Sequence, residues 1–249
     1  MKSFVASVLL FLAVCIASAD SISTNGVFYV DNAVECHLIA QNGTVTTNNL
    51  TAGKTYMVGD VLLELQNGEK TTYYFSGGPL IECSPSSVLS INLFDQEVNN
   101  LLEQPRKASF GSHNLGITLD KGEFSIVYPS TNLQSSFTIN TPFATYEVSN
   151  GKYFVRVSDK SSIAYTLEGI MQVHGEKNRT EKTSKGNLAV AIPFSDPGTG
   201  VEDKILTSIK TLKQEENDRY ASPILLAEKK AANVGFIVVG GRVIGVWLK

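Results

Sequence analysis

The sequence predicts a mainly β protein, built as a strand-rich sandwich or as a short β-solenoid or roll. One short internal helix, C-terminal helices and a terminal β-hairpin complete the prediction. Charged residues make up 18% of the 249 residues, below the roughly 25% of an average soluble domain. Ser, Thr, Asn and Gly are abundant instead, a composition that favours strands joined by turns over helix bundles. Short β-branched and aromatic runs recur between turn residues along most of the chain, which is typical of an all-β architecture.

The first 19 residues have the pattern of a secretory signal peptide. Met1-Lys2 is a short basic start, residues 4–17 are almost wholly apolar, and Ala17-Ser18-Ala19 offers small residues for cleavage after Ala19. The apolar run is shorter than the about 20 residues that a membrane span needs. The alternative is lipid attachment at Cys15, which Val14 disfavours because that position usually holds Gly, Ala or Ser. We therefore expect an exported protein, periplasmic or extracellular.

Cleavage would also change the charge and the cysteine count. It removes Lys2, so 20 basic residues face 24 acidic ones and the net charge moves from −3 to −4. An acidic chain argues against a nucleic-acid-binding surface, which is usually basic. Cys36 and Cys83 remain, and an oxidising compartment permits a disulfide between them, although two buried thiols are equally compatible with the sequence. No later segment is expected to form a transmembrane helix, since the most apolar stretch, 234–248, contains Arg242 and four glycines.

The N-terminal half predicts a series of strands and one helix. Asn67-Gly68, between strands at 61–65 and 71–75, is the strongest hairpin signal. From Asp95 to Gln104, helical spacing of Val98 with two leucines predicts the short internal helix, which Pro105 would end. The other strands predicted here are 27–30, 43–47, 55–58, 80–83 and 88–94.

Strands resume after this helix. The alternation in 153–157 places Phe154 and Arg156 on one face and Tyr153, Val155 and Val157 on the other. A polar loop is expected over 176–186. The predicted strands are 115–119, 123–128, 136–140, 145–148, 153–157, 162–167, 170–173 and 188–192.

The C-terminal part changes in character. Apolar residues at helical spacing predict a helix over 201–212 that covers the β core, and Ser222-Pro223 is expected to start a second helix that ends near Ala232. Two short strands around Gly240-Gly241 complete the chain. These patterns divide the mature protein into parts at 20–110, 111–196 and 197–249, unless 20–249 forms one continuous domain.

A run of features from about residue 115 to 194 resembles the FecR-like domain of bacterial envelope proteins. Thr141-Pro142 follows a strand, and Gly151 opens an aromatic strand that contains Phe154. Glu168-Gly169 lies between two further strands, and Gly186 leads into a last one. The match is looser upstream, over 59–88. One departure is Lys152, where the family usually has Thr, and this puts in doubt any contact that the Thr makes.

This resemblance implies a periplasmic binding module. In well-known members, the domain joins a transmembrane helix and a cytoplasmic segment that controls an extracytoplasmic-function sigma factor. We expect neither segment here, so the chain looks more like the stand-alone exported members. The pattern residues Thr141, Pro142, Gly151, Phe154, Glu168, Gly169 and Gly186 are expected to specify the fold rather than to carry chemistry.

No motif in the sequence predicts catalysis, a cofactor or a metal. His37, His113 and His174 are isolated from other metal-ligating residues, apart from the adjacent Cys36. Gly53-Lys54-Thr55 lacks the upstream Gly and the strand–loop–helix context of a phosphate-binding loop. We therefore assign no catalytic, cofactor-binding or metal-binding residue.

Three functional hypotheses remain. The first is a non-enzymatic binding or regulatory module of the cell envelope, whose partner is a protein or an envelope polymer recognised by a strand edge or an exposed face. The second is a carbohydrate-active envelope enzyme on a β scaffold, which requires a cleft with convergent carboxylates or histidines. The third is a structural surface protein that self-assembles through open sheet edges.

Overall fold

The structure is a computed structural model that describes residues 22–39, 43–58, 62–99, 106–107, 110–129, 134–174, 180–194, 204–239 and 242–248. The signal-peptide prediction concerns residues 1–19 and lies outside this part of the chain. The elements are β1 (Ile22–Asn25), β2 (Val27–Val30), β3 (Val34–Ile39), β4 (Val45–Leu50), β5 (Thr55–Met57), β6 (Leu62–Gln66), β7 (Thr71–Phe75), β8 (Leu80–Cys83), β9 (Val88–Val98), β10 (Arg106–Lys107), β11 (Phe110–Tyr128), β12 (Ser136–Asn140), β13 (Thr145–Val148), β14 (Gly151–Ser158), β15 (Ser161–Glu168), β16 (Met171–His174), β17 (Thr180–Thr183), β18 (Asn187–Phe194), β19 (Lys204–Thr211), α1 (Gln214–Ala231), β20 (Val234–Val239) and β21 (Arg242–Leu248).

The long strand β11 belongs to both layers of a folded β-sheet. Its first part pairs with β9 and, in parallel, with β12, in a front sheet of order β4-β3-β6-β9-β11-β12-β13-β16-β17. Its last part, from Gly122, pairs with β8 and β14 in a back sheet of order β5-β2-β7-β8-β11-β14-β15-β18-β19. Strand β1 pairs with the end of β9.

The main core lies between the two sheets. Leu65 and Ile117 of the front sheet and Phe124 and Val155 of the back sheet are fully buried in one apolar cluster. Alternating residues of the front-sheet strands supply this core, so their neighbours point outward. The mainly β prediction is confirmed, and the two packed layers are the sandwich among its alternatives.

Gly122 lies where β11 passes from one layer to the other. Its φ is +114°, and a Cβ built there would lie 2.3 Å from Cβ of Ser87. A register shift between Leu119 and Lys121 directly precedes it. The change of layer therefore needs a residue with no side chain.

A cap of α1, β10, β20 and β21 covers the outer face of the back sheet. Tyr220 of α1 packs on Phe154 and Tyr165, with ring centroids 5.5 and 5.4 Å apart. Ile224 is fully buried in the same second cluster, which also contains Phe236 of β20. Both faces of the back sheet are thus covered, and the predicted alternation in β14 places Phe154 in the second cluster and Tyr153 in the main core.

Ion pairs fasten the cap to the back sheet. Glu82, 3% exposed, lies 2.5 Å from Nζ of Lys70 and 2.7 Å from Nζ of Lys230 on α1. Lys230 also lies 3.5 Å from Asp31. Because the cap then brings its own cation to a buried carboxylate, the charge of Glu82 is compensated by residues distant in sequence.

The internal helix prediction is wrong where the structure describes it. Asp95 to Val98 form the end of β9 and pair with β1, while residues 100–105 lie outside the described ranges. Gln96 and Val98 are buried with Phe94, a period of two. The apolar spacing that suggested a helix therefore belongs to an extended strand.

The prediction of two C-terminal helices is also corrected. Residues 204–211 of the expected first helix form β19, which pairs along its whole length with β18. Among the described residues of the C-terminal part, one helix runs from Gln214 to Ala231 and contains Pro223 in its interior. It begins where Glu216 accepts a hydrogen bond from the backbone N–H of Lys213, at 3.3 Å, and its first turn is acidic, which complements the helix dipole.

The predicted hairpin at Asn67-Gly68 is wrong, although both strands exist. β6 pairs within the front sheet and β7 within the back sheet, so the turn carries the chain from one layer to the other. Asn67 is buried, donates to the carbonyl oxygen of Ser87 and accepts from the Tyr73 hydroxyl at 2.6 Å. The polar loop predicted over 176–186 contains strand β17, whereas the terminal hairpin of β20 and β21 is confirmed.

Strands on both sides of residue 110 pair with β11. The proposed boundaries at 110/111 and 196/197 stay predictions.

Candidate binding face

One line of polar side chains crosses the outer face of the front sheet from edge to edge. Each member is the cross-strand partner of the next, on the strands β4, β3, β6, β9, β11, β12, β13, β16 and β17 in that order. We call it the polar row, and its members are Thr47, His37, Glu64, Ser90, Thr118, Asn140, Thr145, His174 and Thr180. Ser90 is only 5% exposed, whereas the other eight are partly or fully exposed. Because neighbouring strands lie about 4.8 Å apart, such a row presents donors and acceptors at a regular spacing.

Strand alternation and register produce this row. In β12, Phe137 and Ile139 are buried in the main core, while Thr138 and Asn140 face outward. The same alternation holds in β13, where Tyr146 is buried and Thr145 faces outward. Since a shift of one residue would exchange the two faces, the apolar core fixes the position of every member of the row.

His37 is held between two carboxylates at one end of the row. Its Nε2 lies 2.9 Å from Oε1 of Glu35, and its Nδ1 lies 3.2 Å from Oε1 of Glu64. The hydrogen bond with Glu35 and the bond with Glu64 raise the pKa of His37 above its ordinary value. Below that pKa, both ring N–H groups donate to carboxylates and no lone pair remains to accept a proton.

His174 stands near the other end. Its Nδ1 lies 3.1 Å from the Thr180 hydroxyl oxygen, and its Nε2 lies 3.4 Å from a carboxylate oxygen of Glu147. Beside it, Thr145 donates to Oδ1 of Asn140 at 2.9 Å. These contacts hold several side chains of the row in defined orientations.

Two hollows flank the row. One, of about 480 Å³, lies beside Glu35, Gln66 and Ser86, and Ser86 has a φ of +60°, which is unusual for a residue with a side chain. The other, of about 500 Å³, lies between Glu147, Gln172 and other residues of β12 to β17. Amide, hydroxyl and carboxylate groups line both, a chemistry suited to polar ligands.

The third histidine is inside the molecule. His113 is 4% exposed and pairs across strands with Gln96, and its Nδ1 lies 3.3 Å from the Ser135 hydroxyl. Desolvation lowers the pKa of His113 to about 4. In the sequence, all three histidines are isolated from other metal-ligating residues. In the structure, His37 and His174 contact carboxylates on the outer face of the front sheet, and His113 is buried.

Cys36 and Cys83 are buried thiols in the structure. They lie in the same main core but come from β3 of the front sheet and β8 of the back sheet. Burial raises the pKa of Cys36 to about 11 and that of Cys83 further above its ordinary value. The pairing of these cysteines stays a prediction.

Most residues of the FecR-like sequence pattern lie at turns and strand ends. The Thr141 hydroxyl accepts from the backbone N–H groups of Phe143 and Ala144, forming a compact turn with Pro142 between β12 and β13. Gly151 and Gly169 lie side by side, since a Cβ on Gly169 would come within 2.9 Å of Cα of Gly151. Gly169 has a φ of +90°, which favours glycine.

The remaining pattern residues contact the cap or the strand next to it. Lys152, at the position where the sequence departs from the family, lies 2.6 Å from Oε2 of Glu168 and 3.0 Å from Oε1 of Glu228 on α1. Phe154 packs on Tyr220. Gly186, with a φ of +81°, accepts a hydrogen bond from the backbone N–H of Leu212 just before α1. Lys152 thus makes a contact of its own, to the cap.

The described ranges contain no group of three or more His, Cys, Asp or Glu side chains placed to hold a metal ion. In that same part of the chain, no helix is long and apolar enough to cross a membrane. The polar row was missed at the level of sequence because its members become neighbours only through strand register. Its one sequence signal is a polar residue at every second position of several strands.

Comparison with known proteins gives a weak structural similarity. No protein-family model matches the chain, and no curated protein matches it. The fold is similar to part of a crystal structure, at 2.50 Å resolution, of a candidate anti-sigma factor from Parabacteroides distasonis ATCC 8503. The TM-score is 0.42 at 12% sequence identity, and the alignment covers 62% of this chain and 63% of that one. The match therefore spans less than two thirds of that protein's length.

Proposed function

We propose that the protein is a non-enzymatic, FecR-like binding or regulatory module of the bacterial cell envelope. Its partner is a protein or an envelope polymer that lies on the polar row of the front sheet. The observation that carries this proposal is the row itself. It runs in cross-strand register over nine strands, and eight of its members, all but the buried Ser90, present hydroxyl, amide, imidazole and carboxylate groups at the surface. The FecR-like order of turns between 141 and 186 supports the family part of the proposal.

The state of His37 supports binding over catalysis. A general base needs a free lone pair near the working pH. Both ring nitrogens of His37 face carboxylates, and its raised pKa favours the form in which both carry protons. In the protonated form, His37 is a cation that holds Glu35 and Glu64 on either side of it.

A pair of matched variants tests the binding face. Thr138→Arg places a long cation beside the polar row, whereas Ser208→Arg places the same side chain on β19 of the back sheet. The purified protein and both variants are used as bait against native envelope fractions, and the bound proteins and polymers are quantified. Loss of a captured partner with Thr138→Arg but not with Ser208→Arg is the expected result. Equal capture by both variants would overturn the assignment of this face.

Export is the second part of the proposal and rests on the sequence of the first 19 residues. Mass spectrometry of the protein recovered from its host should give a chain that starts at Asp20. A lipidated N-terminal Cys15 would establish the lipoprotein alternative, and a chain that retains Met1 in the cytoplasm would contradict export altogether.

The carbohydrate-active alternative has one observation in its favour. Glu35 lines the hollow of about 480 Å³, and Glu64 lies on the other side of His37 from it. Paired carboxylates beside a cleft are the machinery of glycoside hydrolysis. Hydrolysis of envelope polysaccharides that is lost in Glu64→Gln and kept in Glu147→Gln would establish this alternative; we expect no hydrolysis by the unmodified protein.

A further inference from the structure

The cap leaves a cavity against the back sheet. This cap cavity has a volume of about 460 Å³ and lies between the last turn of α1, the start of β20 and the Gly77-Gly78-Pro79 turn. Its size falls in the roughly 300–1,000 Å³ range of small-molecule sites. It is on the opposite side of the molecule from the polar row, so a ligand could occupy it whether or not the row binds a partner.

The walls of the cap cavity are mainly apolar. Leu80 and Val127 of the back sheet form its floor, and Phe110, Phe236 and Ala231 form its sides. The rings of Phe110 and Phe236 meet edge to face, with centroids 6.2 Å apart. A polar occupant would lose hydrogen bonds to water in such a space, whereas a hydrocarbon group would gain from burial.

The charge at the cavity wall is negative. Among the residues that line the cavity, Glu228 is the one that carries a formal charge. Its counter-ion, Lys152, lies between Glu228 and Glu168 at 3.0 and 2.6 Å, so two carboxylates share one ammonium group. Two cations follow Glu228 on α1: Lys229 is exposed to solvent, and Lys230 contacts Glu82 and Asp31 instead.

We propose that the cap cavity binds a single-chain amphiphile with a cationic head. The chain lies against Val127 and Phe236, and the head lies at Glu228, where it supplies the positive charge that Lys152 alone does not provide. The apolar walls favour a hydrocarbon chain, and the carboxylate of Glu228 favours a positively charged head.

Binding is measured with three probes of equal chain length, each below its micelle concentration: decyltrimethylammonium, decanoate and decyl maltoside. Trp247 is the single tryptophan of the chain, and its indole packs on Gly235, a lining residue. Its fluorescence therefore reports on the cap cavity, and isothermal calorimetry measures the affinity and the number of molecules bound. We expect saturable binding of the cation, about tenfold tighter than that of decanoate.

Two substitutions on α1 locate the head. Glu228→Gln should weaken decyltrimethylammonium binding about fivefold, the effect of one partly exposed ion pair. Glu215→Gln makes the same change in the first turn of the same helix, away from the cavity, and should leave the affinity unchanged. Ala231→Phe fills the cavity and should abolish binding of all three probes.

The contrast between Glu228→Gln and Glu215→Gln decides the proposal even where Ala231→Phe fails to fold. Decanoate binding as tight as that of the cation would overturn the proposal. So would an unchanged affinity in Glu228→Gln, or a probe that alters neither the Trp247 fluorescence nor the calorimetric signal.

Discussion

His113 makes the stability of this fold depend on pH. Burial lowers its pKa from 6.5 to about 4, so the unfolded chain binds its proton more readily than the folded chain. The stability contributed by neutral His113 is therefore fully present above about pH 6.5 and is lost as the pH falls toward 4. A shift of this size corresponds to about 3 kcal/mol.

Urea unfolding between pH 7 and pH 4 checks this prediction. His113→Phe removes the titrating group from a site where the ring already meets Tyr128 edge to face, and it should flatten the pH dependence of the unfolding free energy. His174→Gln, on the outer face, should leave the dependence caused by His113 in place. An equally steep loss of stability in His113→Phe would show that other groups are responsible.

Cys36 and Cys83 should resist thiol reagents in the native protein, because both side chains are buried and their pKa values are raised. Titration with Ellman's reagent should detect neither thiol before unfolding. In denaturant, a chain cleaved after Ala19 should release the signal of two thiols if the cysteines are reduced. No signal in denaturant without reductant would establish the disulfide between the two layers.

At the scale of elements, the contacts of α1 explain how a helix with an interior proline is stable. Pro223 removes one backbone hydrogen bond and disfavours the helix by about 3 kcal/mol relative to Ala. Tyr220 and Ile224 on either side of it are buried against the back sheet, and Lys230 and Glu228 add ion pairs near the C-terminal end. The preference of proline for the first turn of a helix predicted a helix start at Pro223. The packing of Tyr220 and Ile224 on the back sheet outweighs this preference, so the helix begins earlier, at Gln214.

Loss of Lys230 should destabilise the protein more than loss of its neighbour. Lys230→Ala leaves Glu82, which is 3% exposed, with Lys70 as its remaining cation, and should lower the unfolding free energy by about 2 kcal/mol. Lys229→Ala, one residue earlier on an exposed position, should change it by less than about 0.5 kcal/mol. Chemical unfolding of both variants at neutral pH measures the difference. Equal effects would mean that the ion pair does not hold the cap.

At the scale of the whole molecule, Gly122 is the residue on which the two-layer arrangement depends. Gly122→Ala combines a φ of +114° with a Cβ 2.3 Å from Ser87, and should cost about 3 kcal/mol. Gly116→Ala, in the same strand, meets its nearest atom at 3.6 Å and should change stability by less than about 0.5 kcal/mol. Thermal unfolding of the two variants compares them. A Gly122→Ala protein as stable as the Gly116→Ala protein would show that the joint tolerates a side chain.

The sequence was sufficient to predict local features such as strands and turns. It was insufficient to predict which strands pair and which distant side chains come into contact. Alternation identified most strands, and Gly240-Gly241 identified the final hairpin, since both signals lie within a few residues. The hairpin prediction at Asn67 was wrong because the side-chain amide of Asn67 forms hydrogen bonds with Tyr73 and Ser87. These contacts exist only in the folded chain and cannot be recognised from the sequence. The apolar spacing of 201–212 fits a helix, yet residues 204–211 pair with β18 as a strand. The polar row and the cap cavity depend on such long-range pairings and could not be predicted.

The passage of β11 through both layers also determines how the molecule opens. A layer cannot detach while its neighbour stays intact, because the same backbone supplies hydrogen bonds to β9 and β12 on one side of Gly122 and to β8 and β14 on the other. Amide protons of Ile117 and Ile126, in different sheets, should therefore exchange with deuterium at similar rates, through a single opening event.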